Sequence, residues 1–171
     1  MTGRAEAILN AAEIRIRDAG YNGFSFRDLA ADVGVKSSSV HFHFPTKEAL
    51  VAAVVRRYVE RLEAALDGEE AAGAGPVEAW RMIFRRALID DGRMCLCGVL
   101  AAEIEGLPAE VADEARRFFT RGIARLAESG GGTAIGKADA IRIFAMLEGA
   151  MVMAKALGDP DSFDMATRGL R

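Results

Sequence analysis

The sequence predicts an all-α protein, and three observations carry that prediction. Ala, Leu, Arg and Glu, all strong helix formers, are abundant in a chain that is 51% hydrophobic with only four prolines. Apolar residues recur at spacings of three and four along most of it. Glycine or proline falls between the recurrent stretches. A chain of 171 residues holds one large or two small domains. It hides about 70% of its unfolded surface, so stability requires neither a disulfide nor a metal.

The first helix follows from Ile8, Leu9, Ala12, Ile16 and Ala19 on one side, with Arg4, Glu6, Glu13, Arg17 and Asp18 mostly on the other. Gly20 closes it and Tyr21-Asn22-Gly23 turns the chain. Ser25 with Asp28 three residues later reads as a capping box for a second helix, which runs to about Asp32. Gly34 then accepts a left-handed turn into a third helix, with Ser37 as its N-cap and Val40 and Phe44 facing inward. Ser38, Ser39, His41 and His43 are left outward. Leu29, Ala30, Val33, Val35 and Val40 around that glycine have the spacing of a helix-turn-helix, in which two helices cross steeply over small contact residues.

Pro45 stops the third helix and Thr46 caps a long fourth one, whose stripe of Leu50, Val54, Tyr58, Leu62 and Ala65 ends near Asp67. The loop-like string Gly68 to Pro76 follows. A fifth helix, Pro76 to about Ile89, carries Trp80, Ile83, Phe84 and Leu88 inside and Arg81, Arg85 and Arg86 outside. Met94 to Gly106 starts nearly uncharged and reads as a buried helix. Pro108 opens the next, with Val111, Ala115, Phe118, Phe119, Ile123 and Leu126 as its core side. After Gly130-Gly131-Gly132 a last helix spans about Thr133 to Leu157. Between Ala140 and Ala154 it carries only Arg142 and Glu148 as charges, so a partner subunit is expected to cover it. The small residues Ala140, Gly149, Ala150 and Ala154 would allow close approach.

Several function classes are thinned by composition. Residues 1–50 carry six Lys/Arg against six Asp/Glu, within a net charge of −3. A neutral reader of nucleic acid must therefore place its few cations well. No apolar run is long enough to span a membrane, and the start MTGRAEAIL has neither a basic leader nor a signal core, so a cytoplasmic protein is expected. Cys95 and Cys97 are expected as thiols in a reducing compartment. They lack the further ligands a zinc site needs, and no nucleophile, base and orienting group converge, so neither an enzyme nor a cofactor or metal is expected. Gly131 to Lys137 matches the phosphate-loop pattern G-x-x-x-x-G-K. Ala138 stands where a magnesium-binding hydroxyl belongs and no strand precedes it, so it reads as a glycine linker.

TGRAEAILNAA, GYNGFSFRDLAADVGV and FHFPTKEAL, at these mutual distances, resemble the TetR family of one-component transcriptional regulators over roughly the first fifty residues. The resemblance implies a helix-turn-helix DNA-binding domain over 1–48 and a helical effector-binding and dimerisation domain over 49–171. A homodimer would place the third helix of each subunit in successive major grooves of double-stranded DNA. The family's contact positions fall on Ser25 and Arg27, on Lys36, Ser37, Ser38, Ser39, His41 and His43, and on Lys47, where the family grips a phosphate. Arg27 suits bidentate reading of guanine and the serines suit phosphate or water. His41 stands where the family usually has tyrosine. It keeps a donor, has a shorter reach and gains charge on acidification, so DNA affinity is expected to rise modestly as pH falls.

The resemblance further implies an effector pocket among the middle helices, with Trp80, Phe84, Cys97, Leu100, Glu103, Phe118 and Met151 as candidates. Buried carboxylates are costly, so Glu103 and Glu148 should reach water, pair with an arginine or meet a polar or cationic ligand. The implied function is a ligand-responsive repressor released from a palindromic operator by a small, mostly apolar effector. Two alternatives stand beside it: a regulator sensing electrophiles or oxidants through Cys95 and Cys97 near Arg93, and a helical small-molecule-binding protein that never touches DNA.

Overall fold

A computed structural model of the chain describes residues 3–128 and 135–170, and these are helical with no strand among them. The elements are α1 Gly3–Ala19, α2 Phe26–Val33, α3 Ser37–His43, α4 Lys47–Ala71, α5 Pro76–Asp90, α6 Leu96–Ala102, a 3₁₀ turn Ile104–Gly106, α7 Ala109–Glu128, α8 Lys137–Leu157 and α9 Asp161–Thr167. They form two compact units, Met1–Val59 with Leu96–Arg116, and Glu60–Cys95 with Arg117–Arg171. Gly130 to Gly132, and the Gly131–Ala134 part of the phosphate-loop-like string, lie outside the described residues.

In the first unit the apolar sides of α1 to α4 meet in a core that includes Ile8, Leu9, Ile16, Leu29, Val40, Leu50 and Val54, all fully buried. The capping box at the start of α2 is present in both halves. Gly34 sits at φ 72° with no heavy atom within 4 Å of where a Cβ would be, so backbone conformation and not crowding selects glycine there. Val35 N–H closes on the Ala30 carbonyl at 2.9 Å, which satisfies an orphan carbonyl at the end of α2 and fixes the turn into α3.

Three local expectations are corrected. Lys36, not Ser37, occupies the N-cap of α3, and it makes no side-chain capping bond. Glu13 is buried instead of solvated, with Arg57 at 3.1 Å and Arg17 at 4.0 Å around it. Two cations flanking one carboxylate let a charge sit where the helical pattern alone asked for an apolar face. The apolar run after Met94 makes only a short α6 and then a 3₁₀ turn, because Gly106 and Pro108 interrupt it.

The second unit is built around aromatic rings. Trp80 meets Phe84, Phe118 and Phe144 edge-on, with centroids 5.6, 6.1 and 4.8 Å apart. A Cβ on Gly122 would come within 2.6 Å of the Phe144 ring, so α7 and α8 approach over a residue with no side chain. The second unit also contains α9, which the sequence periodicity did not reveal because it is only seven residues long. Phe163 buries it, and Asp164 accepts from Arg85 at 2.7 Å and from Arg81 at 3.4 Å.

α4 runs on to Ala71, past the expected end near Asp67. Asp67 and Glu70 at 2.8 and 3.0 Å from Arg125 sustain its last turns. α8 starts at Lys137. Of its small residues Ala140, Ala150 and Ala154 are buried within the chain, and the outward stripe is instead Ile141, Ala145, Gly149, Val152 and Ala156 with Met153 and Leu157 beside it.

The Trp80 indole N–H of this unit is buried without a hydrogen-bond partner among the described residues, and the Glu148 carboxyl is buried beside the Cys95 thiol. Burial, and secondarily the neighbouring Cys95 sulfur, push the Glu148 carboxyl well above the ordinary glutamate range. The folded chain therefore holds this proton more tightly than the unfolded chain. The group's contribution to stability is fully present below about pH 4.3, the unfolded value, and is lost as pH rises from there through the raised folded value.

Two stability predictions follow from these buried charges. Glu13→Ala leaves two arginines crowded without their carboxylate and should cost about 3 kcal/mol in urea unfolding. Glu148→Gln should flatten the fall in melting temperature between pH 5 and 7.5, measured by calorimetry, while the wild type keeps it. An unchanged slope in the variant would contradict the buried-acid assignment.

Candidate nucleic-acid interface

α3 shows a sharp division of sides. Val40 and Phe44 face the core, Ser37, Ser39 and His43 are half-buried, and Lys36, Ser38, His41 and Phe42 are exposed. The exposed His41 ring meets Phe26 edge-on at 4.7 Å between centroids. That contact holds the start of α2, and with it the exposed Arg27, against the outward side of α3. Arg27, Lys36, Ser38 and His41 are exposed polar side chains at the start of α2 and along α3.

Charge on this surface is not the neutral sum of the first fifty residues. Asp28 is engaged in the α2 cap, where its carboxylate accepts from the Ser25 hydroxyl and backbone N–H, each at 2.7 Å, which holds it below the usual aspartate value. Asp32 forms a two-pronged pair with Arg15 at 2.8 Å. Glu13 is enclosed by Arg57 and Arg17. Among the described residues Arg4, Arg27 and Lys36 make no ion pair, so these three cations stay available to a ligand, as do the exposed acids Glu6 and Glu48.

Two of the expected contact residues are turned to other tasks. The Ser25 hydroxyl donates its one proton to Asp28 and accepts from the Asp28 N–H, so within the cap it has no proton left for a phosphate. Lys47 points into the unit. Its ammonium donates to the Phe24 carbonyl and lies 4.8 Å from the Tyr21 ring centroid and 4.3 Å from that of Phe24. Partial burial lowers its pKa, against the opposing pull of Asp28 and Glu103. An ammonium carries three donors, so this anchoring leaves capacity for another acceptor.

An open depression of about 740 Å³ lies beside α3, lined by Arg4, Ala7, Val33, Gly34, Val35, Ser38, Ser39, Phe42 and His43. Arg4 and Phe42 were not among the residues picked from sequence. Phe42 could have been, since it stands two residues from both Val40 and Phe44 and therefore on nearly the opposite side of the helix from the core.

The expected effector residues divide between the two units. Trp80, Phe84, Phe118 and Met151 belong to the second and are buried in it. Cys97, Leu100 and Glu103 belong to the first. There Glu103 accepts the Tyr21 backbone N–H at 3.0 Å and packs against Gly20, whose φ of 72° and lack of a side chain make room for the carboxylate. Glu103 is thus a fastening of the α1–α2 turn. Cys95 and Cys97 are thiols with no exposed surface, so a reagent reaches them only if the packing opens.

Comparison with known proteins places this geometry in a family. Residues 8–54 match the family model described as bacterial regulatory proteins, tetR family. A transcriptional regulator of the TetR family from Agrobacterium tumefaciens is 32% identical and superposes with a TM-score of 0.89, over 97% of this chain and 94% of that one. A TetR transcriptional regulator from Legionella pneumophila is 28% identical with a TM-score of 0.86, over 96% and 94%. An uncharacterized HTH-type transcriptional regulator of Bacillus subtilis, YezE, is 32% identical over 105 residues, a stretch of 60% of this chain and only 53% of YezE. The full-length likeness in fold, the identity with the Agrobacterium protein and the helix-turn-helix built by α2 and α3 agree: the chain belongs to the TetR family of bacterial transcriptional regulators.

Proposed function

We propose that the protein is a homodimeric, ligand-responsive repressor, acting in the cytoplasm, that binds a palindromic operator through α3 and is released by a small, mostly apolar effector. The observation that carries the reading is the set of exposed polar side chains Arg27, Lys36, Ser38 and His41 at the start of α2 and along α3, near which Asp28 and Asp32 are tied up while Arg27 and Lys36 make no ion pair among the described residues. Residues 1–48 would form the DNA-binding part and the remainder the effector-binding and dimerisation part. Arg27 reads a guanine edge, and Ser37, Ser38, Ser39, His41 and His43 contact phosphates, water or base edges. Lys47 adds a phosphate contact from the first turn of α4, where the helix N-terminus favours an anion.

Dimerisation is supported by the outward side of α8. Ile141, Val152, Met153 and Leu157 are 45%, 50%, 53% and 62% exposed, and before Lys155 the helix carries only Arg142 and the buried carboxyl of Glu148 as charged groups beside them. Gly149 at the centre has open space around it. A continuous apolar side of a long helix is the surface a second copy would cover. The effector reading is supported by the buried, unpartnered Trp80 N–H in the aromatic cluster of the second unit, since a ligand carrying an acceptor on an apolar body would satisfy it. Release then follows if the effector prefers a conformation whose two reading heads are wrongly spaced. Each 1.4 kcal/mol of that preference costs about tenfold in operator affinity.

Three variants test this reading in fluorescence anisotropy against a duplex enriched from a randomised pool. Arg27→Ala should weaken binding by about 1–3 kcal/mol and relax selectivity at one position of each half-site, with melting temperature unchanged. Lys47→Ala should lower both affinity and melting temperature, because the ammonium also fastens the α1–α2 turn. Val152→Arg should shift the protein from dimer to monomer in sedimentation and weaken binding to the full palindrome more than to a half-site. Arg27→Ala binding as tightly and selectively as wild type would contradict the assignment of this surface, and would favour the helical small-molecule-binding alternative.

A further inference from the structure

Phe42 is 84% exposed, more than any other large apolar side chain among the described residues; the next, Leu157 and Met165, reach 62% and 60%. Those two lie on α8 and α9 with other exposed apolar neighbours, whereas Phe42 stands alone on α3 among polar groups. On a helix advancing about 100° per residue, Phe42 shares its direction with Ser38, one turn earlier, and points away from Val40 and Phe44. The ring is not free to sweep, since it meets the His43 ring edge-on with centroids 5.2 Å apart. It also forms one wall of the open depression to which Arg4, Ser38 and Ser39 contribute polar groups.

A phenyl ring cannot hydrogen-bond to a base edge or a phosphate. What it can do in a major groove is remove one apolar group from water, and the base edges offer a single such group, the 5-methyl of thymine. We infer that Phe42 is a specificity residue that packs against the 5-methyl group of a thymine in each operator half-site, next to the base or phosphate contacted by Ser38. This rests on the DNA-binding reading above and adds to it a named chemical group in the target. The polar candidates of α3 leave thymine and cytosine positions weakly distinguished, and the exposed ring supplies the discrimination they lack.

Replacing thymine by uracil removes the methyl and leaves every hydrogen-bonding group in place, so the test needs no change in the protein. The probe is a duplex enriched from a randomised pool by wild-type protein, with each thymine of a half-site replaced in turn by uracil. Wild type should lose about fourfold at one position when a single half-site is substituted, and roughly the square of that when both are. Phe42→Ala should bind both versions equally, and Phe42→Tyr, which keeps the ring, should retain the penalty. Circular dichroism of the variants should match wild type, as the side chain is outside the core. Uracil tolerated at every position by a wild type that still selects its duplex overturns this inference alone. The same penalty persisting in Phe42→Ala also overturns it, since another residue would then read the methyl and the ring would be left for a protein partner. Failure of wild type to enrich any duplex overturns the DNA-binding reading, and this one with it.

Discussion

The geometry of the reading head depends on where the Lys47 ammonium goes. It could extend into solvent from the first turn of α4, but it lies over the rings of Tyr21 and Phe24 and donates to the Phe24 carbonyl. Glu103 approaches the same turn from the segment after α6 and accepts the Tyr21 N–H. One cation and one carboxylate thus fasten the α1–α2 turn to α4 and to the Glu103 segment. Because α2 starts a few residues after Phe24, the direction of α2 is set there, and Gly34 passes that direction on to α3. The two groups are only partly buried, so their attraction is moderated by solvent, and their main effect is to select one arrangement of backbone.

Much of this was legible in the sequence. Ser25 and Asp28, Gly34 at a positive φ, and Pro45 before Thr46 are local devices with a local chemistry, and each appears where it was expected. Side-chain partners across the fold were not legible. Glu13 and Arg17 have the spacing of a solvated helix face, and nothing in that spacing shows that Arg57, far along the chain, meets the buried Glu13. Glu103 was placed with apolar neighbours in sequence and is instead held by a backbone N–H more than eighty residues away.

The charge count shows the same limit from the other direction. An even balance over fifty residues suggested a weak case for nucleic acid, yet a sum does not distinguish a carboxylate capping a helix from one facing a ligand. Asp28, Asp32 and Glu13 are all engaged by partners within the unit, while Arg27 at the start of α2 and Lys36 at the N-cap of α3 are exposed and make no ion pair among the described residues. On α8 Ala140, Ala150 and Ala154 pack inward while Gly149 faces out, and the side left outward is largely apolar. Exposed cations beside α3 in one unit and an exposed, largely apolar side of α8 in the other are what a dimeric reader of DNA requires, and they bear on the same claim independently.

That claim is tested most directly by sequencing the duplexes that wild-type protein enriches from a randomised pool at moderate salt. The account predicts an inverted repeat whose half-sites lie about one helical turn, or a multiple of it, apart, because two copies of α3 related by a dimer axis can be satisfied only by a palindrome. Enrichment of an asymmetric sequence, or of none while the dimer is intact, would contradict it.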